Sequence, residues 1–171
     1  MGFDMHSCCN GSGRELGVDI CRRCGTRGQT VEWQTLESLL TPEARLRLAN
    51  GLHFFDPSPA CEIVYFSNEE KSYFTKADLC VRVGIKESEA PIPICYCFGH
   101  TVESARAEIQ ATGKSTVTEQ ITKEIRAGSC ACEVKNPSGR CCLGEVNKAV
   151  KKLFVELQGR ELEPSLDAKG K

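Results

Sequence analysis

The sequence predicts an α+β protein in two parts, a small β-rich module that binds metal followed by a helical domain. Three observations carry this. Between residues 52 and 83, short runs rich in β-branched and aromatic residues alternate with turn formers, which is the mark of strands. After residue 100, apolar residues recur at steps of three and four, which is the mark of helices buried along one stripe. Between these regions lies Glu87-Ser88-Glu89-Ala90-Pro91-Ile92-Pro93, whose two prolines and mixed charges favour an extended connection. The resulting division is a flexible tail over 1–13, a β-rich domain over 14–86, a linker over 87–94, a helical domain over 95–160 and a polar tail over 161–171.

The bulk numbers narrow the function. A net charge of −1 and 6% aromatic residues give neither the basic stripe nor the stacking surface of a nucleic-acid binder. The first thirty residues hold no apolar signal-peptide core, and no apolar run approaches the roughly 20 residues that span a bilayer. The expectation is a soluble cytoplasmic protein. Twelve cysteines in 171 residues then need a reason, because structural disulfides do not normally persist in a reducing compartment. Close spacing points to metal or redox chemistry. Isolated Cys80 fits a small buried hydrophobe instead.

In chain order, Met5, His6, Cys8 and Cys9 place soft donors in a glycine-rich tail, which reads first as a disordered tail whose adjacent cysteines do nothing specific and otherwise as a site that captures a thiophilic ion such as Cu(I). Cys21-Arg22-Arg23-Cys24-Gly25 has the shape of a zinc knuckle. Its turn aims both sulfurs inward and glycine permits the backbone that follows. A thioredoxin-like motif would open a helix here, which Gly25 and Gly28 prevent. Helices are predicted over 36–40 and from Thr41, with Thr41 as N-cap, Pro42 in the first turn and Asn50-Gly51 at the end. Strands are predicted at 52–55, 62–66, 72–75 and 81–83. A knuckle needs a second ligand pair. Cys61 and Asp56, in the turn-rich loop between two strands, complete a site of Cys21, Cys24, Asp56 and Cys61. His53 is the reserve ligand, although it lies within a strand where it could face solvent.

Six cysteines fall between positions 95 and 142: Cys95, Cys97, Cys130, Cys132, Cys141 and Cys142. Thr101 caps a helix ended by Gly113, and Thr116 with Glu119 has capping-box spacing for a second helix that ends at Gly128. A third begins near Cys142 and carries Leu143, Val146, Val150, Leu153 and Leu157 on one stripe. Cysteines at helix starts suit an anionic metal–thiolate centre. Four thiolates, two per iron, would hold a [2Fe–2S] cluster. Spacing alone also leaves room for a second zinc. His100, just past Cys97, reads as an exposed helix-start residue.

Cys95-Tyr96-Cys97, about thirty residues, then Cys132 and Cys142 enclosing Asn136-Pro137-Ser138-Gly139-Arg140-Cys141, resembles the N-terminal domain of CopZ-type copper chaperones. Cys61-Glu62-Ile63-Val64-Tyr65-Phe66 and Arg82-Val83-Gly84-Ile85-Lys86 resemble it too. The helical half is also similar to bacterioferritin-associated-ferredoxin-type (BFD-like) [2Fe–2S] domains. These end in Cys-x2-Cys, so the longer loop here matches the CopZ type better. The resemblance implies Cys95, Cys97, Cys132 and Cys142 as cluster ligands, with Cys130 and Cys141 as neighbours that need not ligate. It also implies a zinc half in which Asp56 stands where family members usually have cysteine. Archaeal members continue into a copper domain with its own Cys-x2-Cys, whereas no cysteine follows Cys142 here. The leading expectation is an iron–sulfur and zinc metalloprotein, not an enzyme, that carries single electrons in copper homeostasis for a metal-handling partner such as a copper transporter or chaperone. A structural zinc-binding interaction module and an iron–sulfur delivery scaffold are the alternatives.

Overall fold

The computed structural model describes residues 17–161. The tail sites His6, Cys8 and Cys9, and the polar tail beyond 161, lie outside the described residues. The first half is built on an antiparallel sheet in the order β1-β2-β3-β4. Its strands are β1 (Gln29–Val31), β2 (His53–Phe55), β3 (Ile63–Ser67) and β4 (Ser72–Thr75). Helices α1 (Trp33–Leu39) and α2 (Pro42–Arg45) follow β1.

β2 and β3 are buried along their whole length because both faces of the sheet are covered. One face packs Phe55, Val64, Tyr65 and Phe74 against Leu36, Leu40 and Ala44. The other packs Phe54, Ile63 and Phe66 against Cys21 and Cys61. Strict alternation would set Val64 and Tyr65 on opposite faces. A register shift between Ile63 and Tyr65 in the β3–β4 pairing puts both in the larger core. Cys21 and Cys61 therefore lie on the smaller face. Gly28 brings the chain close to it: a Cβ there would sit 2.6 Å from the Phe54 Cβ and 2.7 Å from the Phe66 ring.

Several local expectations are corrected. Residues 81–83 form no strand; they lead into a 3-10 turn at Gly84–Lys86, and Val83 enters the core instead. Thr41 does cap α2, accepting the Ala44 N–H at 3.2 Å, with Pro42 in the first turn. That helix stops after one turn rather than at Asn50-Gly51, because Leu46 is 89% exposed and offers no stripe to bury. Cys80 is exposed, not a core hydrophobe.

The second half opens with a hairpin of β5 (Pro93–Cys95) and β6 (His100–Thr101), in which Cys95 pairs with His100. His100 is thus a half-buried strand residue rather than an exposed helix start. Helices α3 (Val102–Thr112), α4 (Val117–Arg126), α5 (Cys132–Lys135) and α6 (Leu143–Glu161) follow. Thr101 caps α3 reciprocally with Ser104, and Gly113 ends it at φ 70. The box foreseen at Thr116 and Glu119 does not form. The Thr116 hydroxyl donates instead to Glu108 Oε1 at 2.6 Å. Ala105, Ile109, Val117, Ile121, Val146, Val150 and Leu153 make the helical core, which also buries Cys95, Cys132 and Cys142.

The two halves touch at the loops that carry these cysteines. The Tyr65 hydroxyl donates to the Pro137 carbonyl at 2.8 Å, and Thr35 Oγ1 to the Glu133 carbonyl at 2.6 Å. The Gly84 N–H donates to the Tyr96 hydroxyl at 2.8 Å. Arg82 grips the connecting segment through the Glu87 carboxylate at 2.8 Å and the Glu89 and Ala90 carbonyls at 2.7 and 3.2 Å.

Candidate metal centres

The first centre begins with a tight hairpin. Ile20 bridges Arg27, the Gly25 N–H closes on the Cys21 carbonyl at 2.8 Å, and Gly25 adopts φ 74 as a knuckle turn requires. Asn68 staples this hairpin to the sheet, donating to the Val18 and Ile20 carbonyls at 2.9 and 2.7 Å. Cys61 and Asp56 arrive from the loop between β2 and β3. One donor atom each from Cys21, Cys24, Asp56 and Cys61 lies within 4.8 Å of the others. The Cys21 and Cys61 sulfurs are 4.0 Å apart, and Cys24 Sγ is 3.1 Å from Asp56 Oδ2. Donors around a tetrahedral zinc lie roughly 3.6–3.8 Å apart, so small shifts would close the shell.

The Cys24 thiol donates to the Asp56 carboxylate. Burial drives the Cys21 thiol up to about 12, and its hydrogen bond to Asp56 adds to this. Burial also raises Cys61. Burial pushes Asp56 upward as well, but bonds from Cys21, Cys24 and the Ser58 N–H outweigh it and leave the carboxyl lowered. A divalent ion held by these residues would replace their thiol protons.

His53 is not part of this group. It is buried rather than solvent-facing, its Nδ1 lies 3.1 Å from the Gly51 carbonyl, and its ring leans on Phe74. Sequence reasoning missed Lys86. Its ammonium is 1% exposed, donates to the Ser58 and Cys61 carbonyls at 2.7 and 3.1 Å, and lies 3.7 Å from Asp56 Oδ1. It holds one carboxylate oxygen and leaves Oδ2 facing Cys24. No periodicity marks such a residue; only a lysine among apolar and glycine neighbours hints at it.

The second centre gathers the β5–β6 turn, the start of α5 and the residue preceding α6. Cys97 Sγ is 3.6 Å from Cys132 Sγ and 3.9 Å from Cys130 Sγ, and Cys130 is 3.3 Å from Cys132. Cys95 and Cys142 are buried in the same core, but the group whose donor atoms lie within 4.8 Å of one another is Cys97, Cys130 and Cys132. The neighbouring Cys142 side chain brings Cys95 down to about 6, against the effect of burial. Cys142 is correspondingly raised. The Ala131 N–H donates to Cys97 Sγ at 3.3 Å. Cys141 is exposed.

Comparison with known proteins follows this geometry. A family model described as a zinc binding domain (zf_CopZ) matches residues 18–80, the stretch that contains Cys21, Cys24, Asp56 and Cys61. The copper chaperone CopZ of Archaeoglobus fulgidus is 33% identical over 152 residues, covering 81% of this chain and 70% of that protein. The chain belongs to the CopZ family. The X-ray structure of the Archaeoglobus fulgidus CopZ N-terminal domain superposes with a TM-score of 0.62 at 32% identity, covering 75% of this chain and 95% of that one. The fold is accordingly the α+β fold of the CopZ N-terminal domain. Membership, together with the clustered cysteines, supports zinc or metal binding. No helix among the described residues is long and apolar enough to cross a membrane.

Proposed function

We propose that the chain is a two-centre metalloprotein of copper homeostasis, with zinc at Cys21, Cys24, Asp56 and Cys61 and a [2Fe–2S] centre at Cys95, Cys97, Cys132 and Cys142. The β-rich domain spans 14–86 and the BFD-like helical domain 95–160, joined through 87–94. A [2Fe–2S] centre at that position supplies a one-electron couple. Its role would be that of an electron carrier for a metal-handling partner such as a copper transporter or chaperone, in the cytoplasm.

The observation that carries the reading is the burial of Cys95, Cys132 and Cys142 in one core with Cys97 packed against it. Cys97 Sγ lies 3.6 Å from Cys132 Sγ. The donor set is all sulfur, as iron–sulfur ligation requires. The Ala131 N–H donates to Cys97 Sγ, where it would stabilise negative charge and tune a potential. Three of the four thiols are buried, which limits access of water and oxidant. At the first centre, the donor set of three thiols and one carboxylate suits zinc.

Metal and acid-labile sulfide analysis of anaerobically purified protein tests the assignment. Iron and sulfide in equal amounts, with one zinc, support it. A second zinc without sulfide would assign the helical half to a structural role.

A further inference from the structure

Cys130 has no role in the four-ligand set, yet its sulfur is nearer to Cys132 than that of Cys97 is, at 3.3 against 3.6 Å. With Cys97 at 3.9 Å, the three sulfurs form a triangle. The point equidistant from its corners lies about 2.1 Å from each sulfur, close to the roughly 2.3 Å of a metal–thiolate bond. Among the described residues, no carboxylate or imidazole completes this group to four. Zinc prefers a closed tetrahedral shell, so three coplanar soft donors suit it poorly. Thiolates select Cu(I), and three of them satisfy it without a fourth ligand. Cys97 and Cys130 are only half buried, which leaves the triangle open to an entering ion. The Ala131 N–H already donates to Cys97 Sγ at 3.3 Å and would offset charge when the thiol protons leave to solvent.

We infer that Cys97, Cys130 and Cys132 form a three-thiolate site for one soft monovalent cation of the Cu(I) class. Because it shares Cys97 and Cys132 with the proposed [2Fe–2S] ligands, the two occupants exclude each other, and Cys130 distinguishes the sites. The inference rests on the triangle itself and does not require the cluster.

The test uses the full chain in a Cys8→Ser/Cys9→Ser background, zinc-loaded and freed of iron, titrated anaerobically with Cu(I) against a chromophoric Cu(I) chelator. One equivalent should bind, with three sulfurs at about 2.3 Å by X-ray absorption. Cys130→Ser should reduce the shell to two sulfurs and weaken binding about tenfold or more, since one thiolate of three is lost. Cys80→Ser, at an exposed cysteine outside both centres, should change neither quantity. Circular dichroism checks that each variant is folded. The inference is overturned if Cys130→Ser keeps a three-sulfur site of parental affinity, or if Cys80→Ser loses as much. In iron-loaded protein, Cys130→Ser should retain parental iron and sulfide. Absence of iron and sulfide from the parent would refute the cluster while leaving the Cu(I) result standing.

Discussion

Replacing Lys86 by methionine removes a charge from the floor of the first centre while keeping most of the side-chain length. The ammonium is 3.7 Å from Asp56 Oδ1, with both side chains at or below 1% exposure. At an effective dielectric of about 20, unit charges at that distance attract by about 4.5 kcal/mol. Burial opposes part of this, since desolvation lowers the Lys86 pKa even beside Asp56. Breaking a buried pair on one side costs about 3–5 kcal/mol, and here the Ser58 and Cys61 carbonyls also lose their donor. With zinc bound, three thiolates and a carboxylate outweigh the ion by two charges, so loss of the nearby cation penalises the loaded state further. Zinc affinity should fall about 10–100-fold, as when an outer-shell partner is removed. Competition with a chromophoric zinc chelator at constant pH measures it, alongside thermal unfolding of the zinc-saturated protein. A folded Lys86→Met variant with zinc affinity within about threefold of the parent would refute the role assigned to this lysine.

Further expectations concern the contacts between the halves. Gly84→Ala should destabilise by about 3 kcal/mol or more by chemical denaturation, because its Cβ would lie 1.9 Å from the Pro93 carbonyl oxygen. Tyr65→Phe should cost about 1–2 kcal/mol, since it orphans the buried Pro137 carbonyl, and hydrogen exchange should quicken in the loop between Cys132 and Cys142. The Arg82 hydrogen bond, aided by Lys76, holds the Glu87 carboxyl below its ordinary value. Its contribution is therefore present above the unfolded value of 4.5 and is lost as pH falls through the lower folded value. Glu87→Gln should cost about 1 kcal/mol at neutral pH and nothing once the carboxyl is protonated, a convergence that paired urea titrations across pH would reveal.

Features fixed by local chemistry could be read from the chain. The Cys21–Gly25 turn, the cap at Thr41, the cap of α3 and the stripe of α6 each depend on residues a few positions apart. The convergence of Cys21, Cys24, Asp56 and Cys61 was legible because few other candidate ligands lie in that half. Features created by long-range packing were not. β1 is three residues long and is defined by pairing with β2. The β5–β6 hairpin begins at a proline, which argues against a strand unless it lies at an edge. His53 looked like a ligand by type, but strand pairing and Phe74 claim its ring. Lys86 became visible only when the 3-10 turn at Gly84–Lys86 brought it beneath Asp56. Cys130 looked incidental until α5 placed it beside Cys97 and Cys132.

The most direct measurement is electron paramagnetic resonance of the anaerobically purified full chain before and after one-electron reduction, with iron and sulfide quantified on the same sample. The account expects a silent, reddish-brown oxidised protein that gains an S = 1/2 signal on reduction, with about two irons and two sulfides per chain. It also expects that signal to disappear in Cys95→Ser and Cys142→Ser. A colourless, sulfide-free protein that stays silent on reduction would contradict it.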